Sequence, residues 1–297
     1  MRAEDAITRQ IVTPSPDLDG LWDSIVTADD IKDRLLRHAA LALAVRGRLP
    51  FTTTALHGLL LLHGPPGTGK TTLARGLVQQ LADVVGGPVR LIDVNPHGLM
   101  SAEHGQSQKL VSALLCEVIP GYADDRIPTV VVLDEVESMA VARSEASLAA
   151  NPVDVHRATD AVLTALDDLT AKHPHIVTVA TSNFTSGLDE AFVSRADVAI
   201  NVPLPDADAL AVIMRDTLLG YSAAFPPLAA LATSPALKRV ATALVGVDGR
   251  AARKVVADAA ARRLETAMDP GKLTIDDLVA AARHRDIDRP EVRRGAA

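Results

Sequence analysis

The residues with the most chemistry in them are Gly64, Pro65, Pro66, Gly67, Thr68, Gly69, Lys70, Thr71 and Thr72, which follow Leu59 to Leu62 and His63. Gly64, Gly69, Lys70 and Thr71 stand at the spacing Gly-x-x-x-x-Gly-Lys-Thr, that of a loop that cradles phosphates. Glycines let the backbone take positive φ, so successive N–H groups can converge on phosphate oxygens at the positive end of a helix. Lys70 is expected to reach the β- and γ-phosphates of ATP, and the Thr71 hydroxyl to hold Mg²⁺. A chance glycine-rich turn would lack the flanks present here. The four leucines suit a buried strand, and Leu73, Leu77 and Leu81 follow at helical spacing.

A second group closes the run Thr129-Val-Val-Val-Leu133, which ends in Asp134 and Glu135. Two carboxylates at the end of an apolar strand need a cation or a water to face, because an unpaired charge beside apolar groups is costly. Asp134 is therefore assigned to the metal shell and Glu135 to the attacking water, in preference to an acidic helix cap. Asn183 follows the strand-like run Ile176 to Ala180 and is placed to hydrogen-bond the γ-phosphate or the water. Arg195 precedes another such run and is badly placed for its own nucleotide. It reads as a residue offered to a neighbouring copy's γ-phosphate, worth about 10³ to 10⁵ in hydrolysis, rather than a surface arginine paired with Asp197 for at most about 1 kcal/mol.

These groups need a scaffold, and the pattern supplies one. Short apolar runs at Leu59–Leu62, Val89–Val94, Val130–Leu133, Ile176–Ala180 and Val198–Val202, the last four rich in β-branched residues, alternate with helical stretches, which implies an α/β fold with a parallel five-stranded sheet covered on both faces. A helix is expected from Leu21-Trp22 through Ile31, Leu35 and Leu43. Trp22 either packs simply or, with Leu21, lines one wall of the adenine pocket. Beyond Pro205 the strands stop, and Ala207–Leu219, Pro235–Val245, Gly249–Met268 and Thr274–His284 read as helices of a small lid, the last opened by a Thr274-x-x-Asp277 capping box. Arg250, at a helix start in that lid, could reach back to the phosphates and couple lid angle to hydrolysis. The expected division is an arm over 1–20, the α/β domain over 21–205, the lid over 206–286 and a charged tail over 287–297.

Composition narrows the class. With 48% hydrophobic residues over 297, the chain can bury a large core. A net charge of −7 argues against a general nucleic-acid surface. The single cysteine, Cys116, supports neither a disulfide framework nor a thiolate zinc site. No run of about 18 apolar residues and no leader-like start are present, so no membrane partner and a cytoplasmic location are expected.

In order, Gly64 to Thr71, Asp134-Glu135, Asn183, Arg195 and Gly249-Arg250 resemble the Walker A, Walker B, sensor 1, arginine finger and sensor 2 of AAA+ ATPases. Gly20-Leu-Trp-Asp-Ser24, Leu133-Asp-Glu-Val-Glu-Ser138 and Ala191-Phe-Val-Ser-Arg-Ala-Asp197 are similar to the pachytene checkpoint, or thyroid-receptor-interacting protein, remodellers. That resemblance implies a homo-hexameric ring that hydrolyses ATP to unfold part of a HORMA-domain protein and disassemble its complexes, and in bacteria a place in CD-NTase anti-phage signalling. Nothing the size of the eukaryotic N-terminal domain precedes Leu21, as expected of a bacterial single-module form. The family's first pore loop presents an aromatic, whereas Leu99 to Ser107 offers Met100, Glu103 and His104; Ala142 to Val155, rich in Ala and Ser, is expected to be either the second pore loop or a surface loop. The alternative from another class is a nucleotide-gated scaffold or loader acting on a DNA clamp or helicase.

Overall fold

The computed structural model describes residues 2–100, 106–123, 126–140, 152–184 and 188–287. These form two compact units, one comprising the chain to Pro65 with Lys70–Val202, the other Pro66–Gly69 with the chain from Pro203.

The first unit is built on one sheet. Its strands are β1 (Ile7–Val12), β2 (Leu59–His63), β3 (Arg90–Val94), β4 (Thr129–Leu133), β5 (Ile176–Ser182) and β6 (Val198–Asn201), in the order β1-β3-β4-β5-β2-β6. The five expected parallel strands are β2 to β6. The count of five needs correcting to six. The segment read as an arm supplies β1, antiparallel to β3. Its Thr8, Arg9 and Gln10 are exposed, as an edge strand allows, so it lacks the continuous apolar run that marks the buried strands.

Along each strand alternate residues enter opposite cores. Leu59, Leu61, Ile92, Val131 and Leu133 join one cluster with Val162, Leu166 and Leu169 of the helix Pro152–Lys172. Leu60, Leu62, Leu91, Val130 and Val132 join the other with Leu73, Leu77 and Leu81 of the helix Lys70–Val85. Burying one such leucine contributes about 1.5–3 kcal/mol, so both helices are fixed to the sheet. The predicted helix near Leu21 starts later, at Asp29. Residues 21–24 form turns instead, following Gly20 at φ 68°. They lie against Gly76, where an added Cβ would sit 2.6 Å from the Trp22 nitrogen.

The second unit is helical, with Ala207–Ser222, Leu228–Ala232, Leu237–Ala243, Gly249–Ala261, Leu264–Met268 and Ile275–Ile287. The Thr274–Asp277 capping box forms, with the Asp277 N–H donating to Thr274 Oγ1 at 3.2 Å and the Thr274 N–H to Asp277 Oδ2 at 3.0 Å. The stretch Gly249–Met268, expected as one helix, is two. Arg263 between them is extended at φ −132°, and the polar Arg262-Arg263 pair gives the core no reason to continue the turn. Glu103, His104, most of Ala142–Val155 and the tail from 288 lie outside the described residues, as does the Met100 side chain.

Candidate functional site: a phosphate loop facing two carboxylates

Strand register brings the chemistry to one edge. Val94 stands beside Leu133, Leu133 beside Ala180, and His63 beside Ser182. Whatever follows these residues therefore emerges together at the carboxyl ends of β2, β3, β4 and β5, where open parallel sheets place ligands. Gly64, Asp134 and Asn183 are the residues so placed.

The loop after β2 has Gly64, Gly67 and Gly69 at φ 141°, 78° and 93°, conformations that side chains rarely adopt. A Cβ at Gly64 would also run into the Val202 carbonyl. Thr68 and Lys70 are buried, while Pro65 and Pro66 face outward. Lys70 Nζ donates at 2.9 Å to the Gly64 carbonyl, the Pro65 carbonyl and Asn183 Oδ1. Asn183 in turn donates from Nδ2 to Glu135 Oε1 at 3.2 Å. One amide thus ties the lysine to the second carboxylate. Thr71, at the first turn of its helix with Thr72, donates from Oγ1 to Asp134 Oδ1 at 2.6 Å. A hydroxyl beside a carboxylate is an all-oxygen donor pair, which suits Mg²⁺. With the glycine-rich loop and the lysine, these residues fit a magnesium-bound nucleoside triphosphate.

Glu135 has left-handed backbone, φ 52° and ψ 53°, which costs a non-glycine residue about 1–2 kcal/mol. Thr181 holds it there. This strand-end residue donates from Oγ1 to Asp134 Oδ1 at 2.6 Å and accepts the Glu135 N–H at 3.1 Å. His97 Nε2 lies 2.6 Å from Glu135 Oε2, and Glu137 Oε1 accepts the Asn183 N–H at 3.1 Å. Burial, followed by the Lys70 ammonium, pushes the His63 imidazole below its ordinary value. Beneath the loop helix, Arg75 donates from Nε to Asp93 Oδ2 at 2.7 Å, though burial, the larger effect, still pushes the Asp93 carboxyl up.

Sequence reasoning missed Thr181, His97 and Glu137. The signal for Thr181 was its place two residues before Asn183, hence on the same face of the strand. Glu137 had the alternation Glu-Val-Glu, and His97 the carboxyl end of the neighbouring strand.

Arg195 is not among these residues. It sits at the amino ends of the strands, since Asp197 donates its N–H to the Leu59 carbonyl at 2.7 Å and β6 starts at Val198. Leu59 and the loop after His63 are a strand apart, about 13 Å. Asp197 accepts the N–H groups of His57 and Gly58 at 2.7 and 2.8 Å, and the carboxylate that takes Arg195 is Asp167. Leu21 and Trp22 border the loop helix, Trp22 with the Lys32 ammonium 5.6 Å from its ring centroid. In the second unit the Arg250 N–H donates to the Gly67 carbonyl at 3.3 Å.

A family model for the ATPase family associated with various cellular activities (AAA) matches residues 60–204. The chain is 46% identical over 278 residues to CD-NTase-associated protein 6 of Pseudomonas aeruginosa, covering 93% of this chain and 91% of that one. It is 39% identical over 199 residues to a pachytene checkpoint protein 2 homolog of Arabidopsis thaliana, covering 65% of this chain but 42% of the relative, so it spans less than half of that protein's length. Among solved structures, C. elegans PCH-2 superposes with TM-score 0.74 at 23% identity over 94% of this chain and 76% of that one. A chain of the E. coli MS115-1 HORMA:CdnC:Trip13 complex superposes with TM-score 0.75 at 16% identity over 96% and 97%. At those identities the two structures speak to the fold.

Proposed function

The chain belongs to the AAA ATPases, in the branch that holds CD-NTase-associated protein 6 and the pachytene checkpoint protein 2 homologs, and from there we propose that it hydrolyses ATP to remodel a HORMA-domain protein. The observation that carries the hydrolytic half is the Lys70–Asn183–Glu135 chain beside the Thr71–Asp134 pair. Lys70 and the loop N–H groups bind the phosphates. Thr71 and Asp134 hold Mg²⁺, which when bound offsets phosphate charge. Glu135, about half exposed, takes the proton of the attacking water while Asn183 keeps its carboxylate turned to the γ-phosphate. Arg195, at the far ends of the strands, serves the next copy's nucleotide. The assembly this requires is a head-to-tail ring, six copies by the resemblance. Leu21 and Trp22 border the adenine, and Arg250 at the start of Gly249–Ala261 relays phosphate contact to the helical unit.

The remodelling half is supported by the likeness to CD-NTase-associated protein 6 and by the structural neighbour from a HORMA:CdnC:Trip13 complex. No described helix is long and apolar enough to cross a membrane, and we place the protein in the cytoplasm. The test is a Glu135→Gln pull-down in ATP from cells that hold the native operon, with the captured partner identified by mass spectrometry. Recovery of a HORMA protein, together with ATPase turnover that its addition stimulates over many cycles, supports the reading. Capture of a clamp or helicase with a single turnover overturns it.

A further inference from the structure

Arg195 is held by more than its own helix. Its Nε and Nη2 donate to Asp167 Oδ1 and Oδ2, each at 2.8 Å, and its Nη1 donates to the Ala191 carbonyl at 2.8 Å. A guanidinium carries five N–H groups. This hold uses three and leaves two. The bond is felt on both sides: hydrogen bonding to Arg195 holds the Asp167 carboxyl below its ordinary range, and bonding to Asp167 raises the guanidinium.

Asp167 is itself well anchored. It rides on the helix Pro152–Lys172, whose Leu163, Leu166 and Leu169 are buried in the core. Beside it, His57 Nε2 lies 3.9 Å from Asp167 Oδ1. The His57 backbone is pinned at both ends, its N–H to Asp197 at 2.7 Å and its carbonyl by Thr170 Oγ1 at 2.8 Å. The Asp167 and Arg195 side chains are 45% and 24% exposed, so as a surface ion pair they add little to stability. Such a fork is instead suited to aiming. An arginine side chain is rich in rotamers, and a planar bidentate hold removes that freedom before a phosphate arrives.

The geometry points to Asp167 as the positioning residue for Arg195, fixing one edge of the guanidinium so that its two remaining N–H groups meet the γ-phosphate on a neighbouring copy. This rests on the reading that Arg195 acts across the boundary between copies. A misplacement of about 1 Å in such a group costs about 10² in rate, so the pair matters to turnover far more than to folding.

The test compares Asp167→Ala, Asp167→Glu and Arg195→Ala in steady-state ATP hydrolysis. Asp167→Ala should lower kcat by about ten- to a hundredfold with the ATP KM near that of the parent, and Asp167→Glu should restore part of the loss. Asp167→Asn, which keeps the volume and one acceptor, replaces the alanine variant if that one does not fold. In co-expressed mixtures, Asp167→Ala copies keep their own Glu135 and Glu135→Gln copies keep a well-held Arg195. Mixed rings should therefore turn over faster than the sum of the two parents. If Asp167→Ala turns over like the parent, or faster, while Arg195→Ala is inactive, the positioning role is overturned and the trans arginine stands. If Arg195→Ala itself keeps full turnover, the reading beneath the proposal fails. A kcat loss in Asp167→Ala that Glu135→Gln copies do not complement also overturns it.

Discussion

Replacing Glu135 by Gln removes a charge and almost nothing else. The amide oxygen of Gln can still accept from Asn183 Nδ2, now at 3.2 Å, and the Lys70–Asn183 and Thr71–Asp134 contacts at 2.9 and 2.6 Å do not involve the substituted atoms. What is lost is a base for the water proton and the charged partner of His97 at 2.6 Å. General-base catalysis is worth about 10² to 10⁴, which at about 1.36 kcal/mol per decade is about 2.7–5.4 kcal/mol on the barrier. Glu135 and His97 are both about half exposed, so their pairing is worth at most about 1 kcal/mol to the fold. That is a Tm change of about 2–4 °C at most for a chain of this size. Phosphate release at saturating ATP and Mg²⁺ should thus fall by orders of magnitude while nucleotide affinity and Tm stay near the parent's. Turnover within about threefold of the parent would refute the assignment of Glu135 as base. So would a loss that disappears on raising ATP.

Thr181→Val should leave the Glu135 N–H without its acceptor and Asp134 Oδ1 with Thr71 as its one remaining hydroxyl donor. Thermal melts should show a loss of about 1–3 kcal/mol, and Mg²⁺ titrations a weaker apparent affinity; Thr181→Ser, which keeps the hydroxyl, should show neither. Gly76→Ala offers a gain of about 1 kcal/mol in helix propensity against a Cβ 2.6 and 2.8 Å from Trp22 backbone atoms. Because Trp22 is the sole tryptophan, its emission reports the outcome. Overpacking of about 1–3 kcal/mol should win, with a lower Tm and shifted emission; a raised Tm with unchanged emission would contradict the close approach. Burial, as the larger cause for each, lowers the imidazoles of His57 and His63 from their ordinary 6.5. The unfolded chain then binds more protons than the folded one, so stability is lost as pH falls through that ordinary value toward the lowered folded ones. Tm measured from about pH 8 to about pH 6 should fall less steeply in the His57→Gln/His63→Gln variant.

The site was legible where chemistry and chain position coincide. Lys70, Thr71, Asp134 and Asn183 each follow directly on a strand or start the next helix, and parallel register does the rest. Groups that meet only through tertiary packing left no such trace. Asp167 is one acid among several on a helix, and only the fold brings it to Arg195, 28 residues away in the chain. Asp197, the nearer acid in sequence, is occupied by the N–H groups of His57 and Gly58. The same holds for the fold. Strands buried on both faces announce themselves by composition, whereas β1 is an edge strand with exposed polar residues and is recognisable only by the partner it pairs with. The break near Arg263 lies within a stretch that reads as continuous helix by spacing.

The left-handed backbone at Glu135 bears on how such an enzyme could drift. Glycine, asparagine, aspartate and histidine occupy that conformation with less steric penalty than glutamate, and of these glycine and asparagine cannot act as a base. On the proposed reading, a lineage that drifted to either of those two would keep the phosphate loop and lose the base. Glutamate here holds a carboxylate beside the phosphate loop at a position whose backbone would suit other residues better.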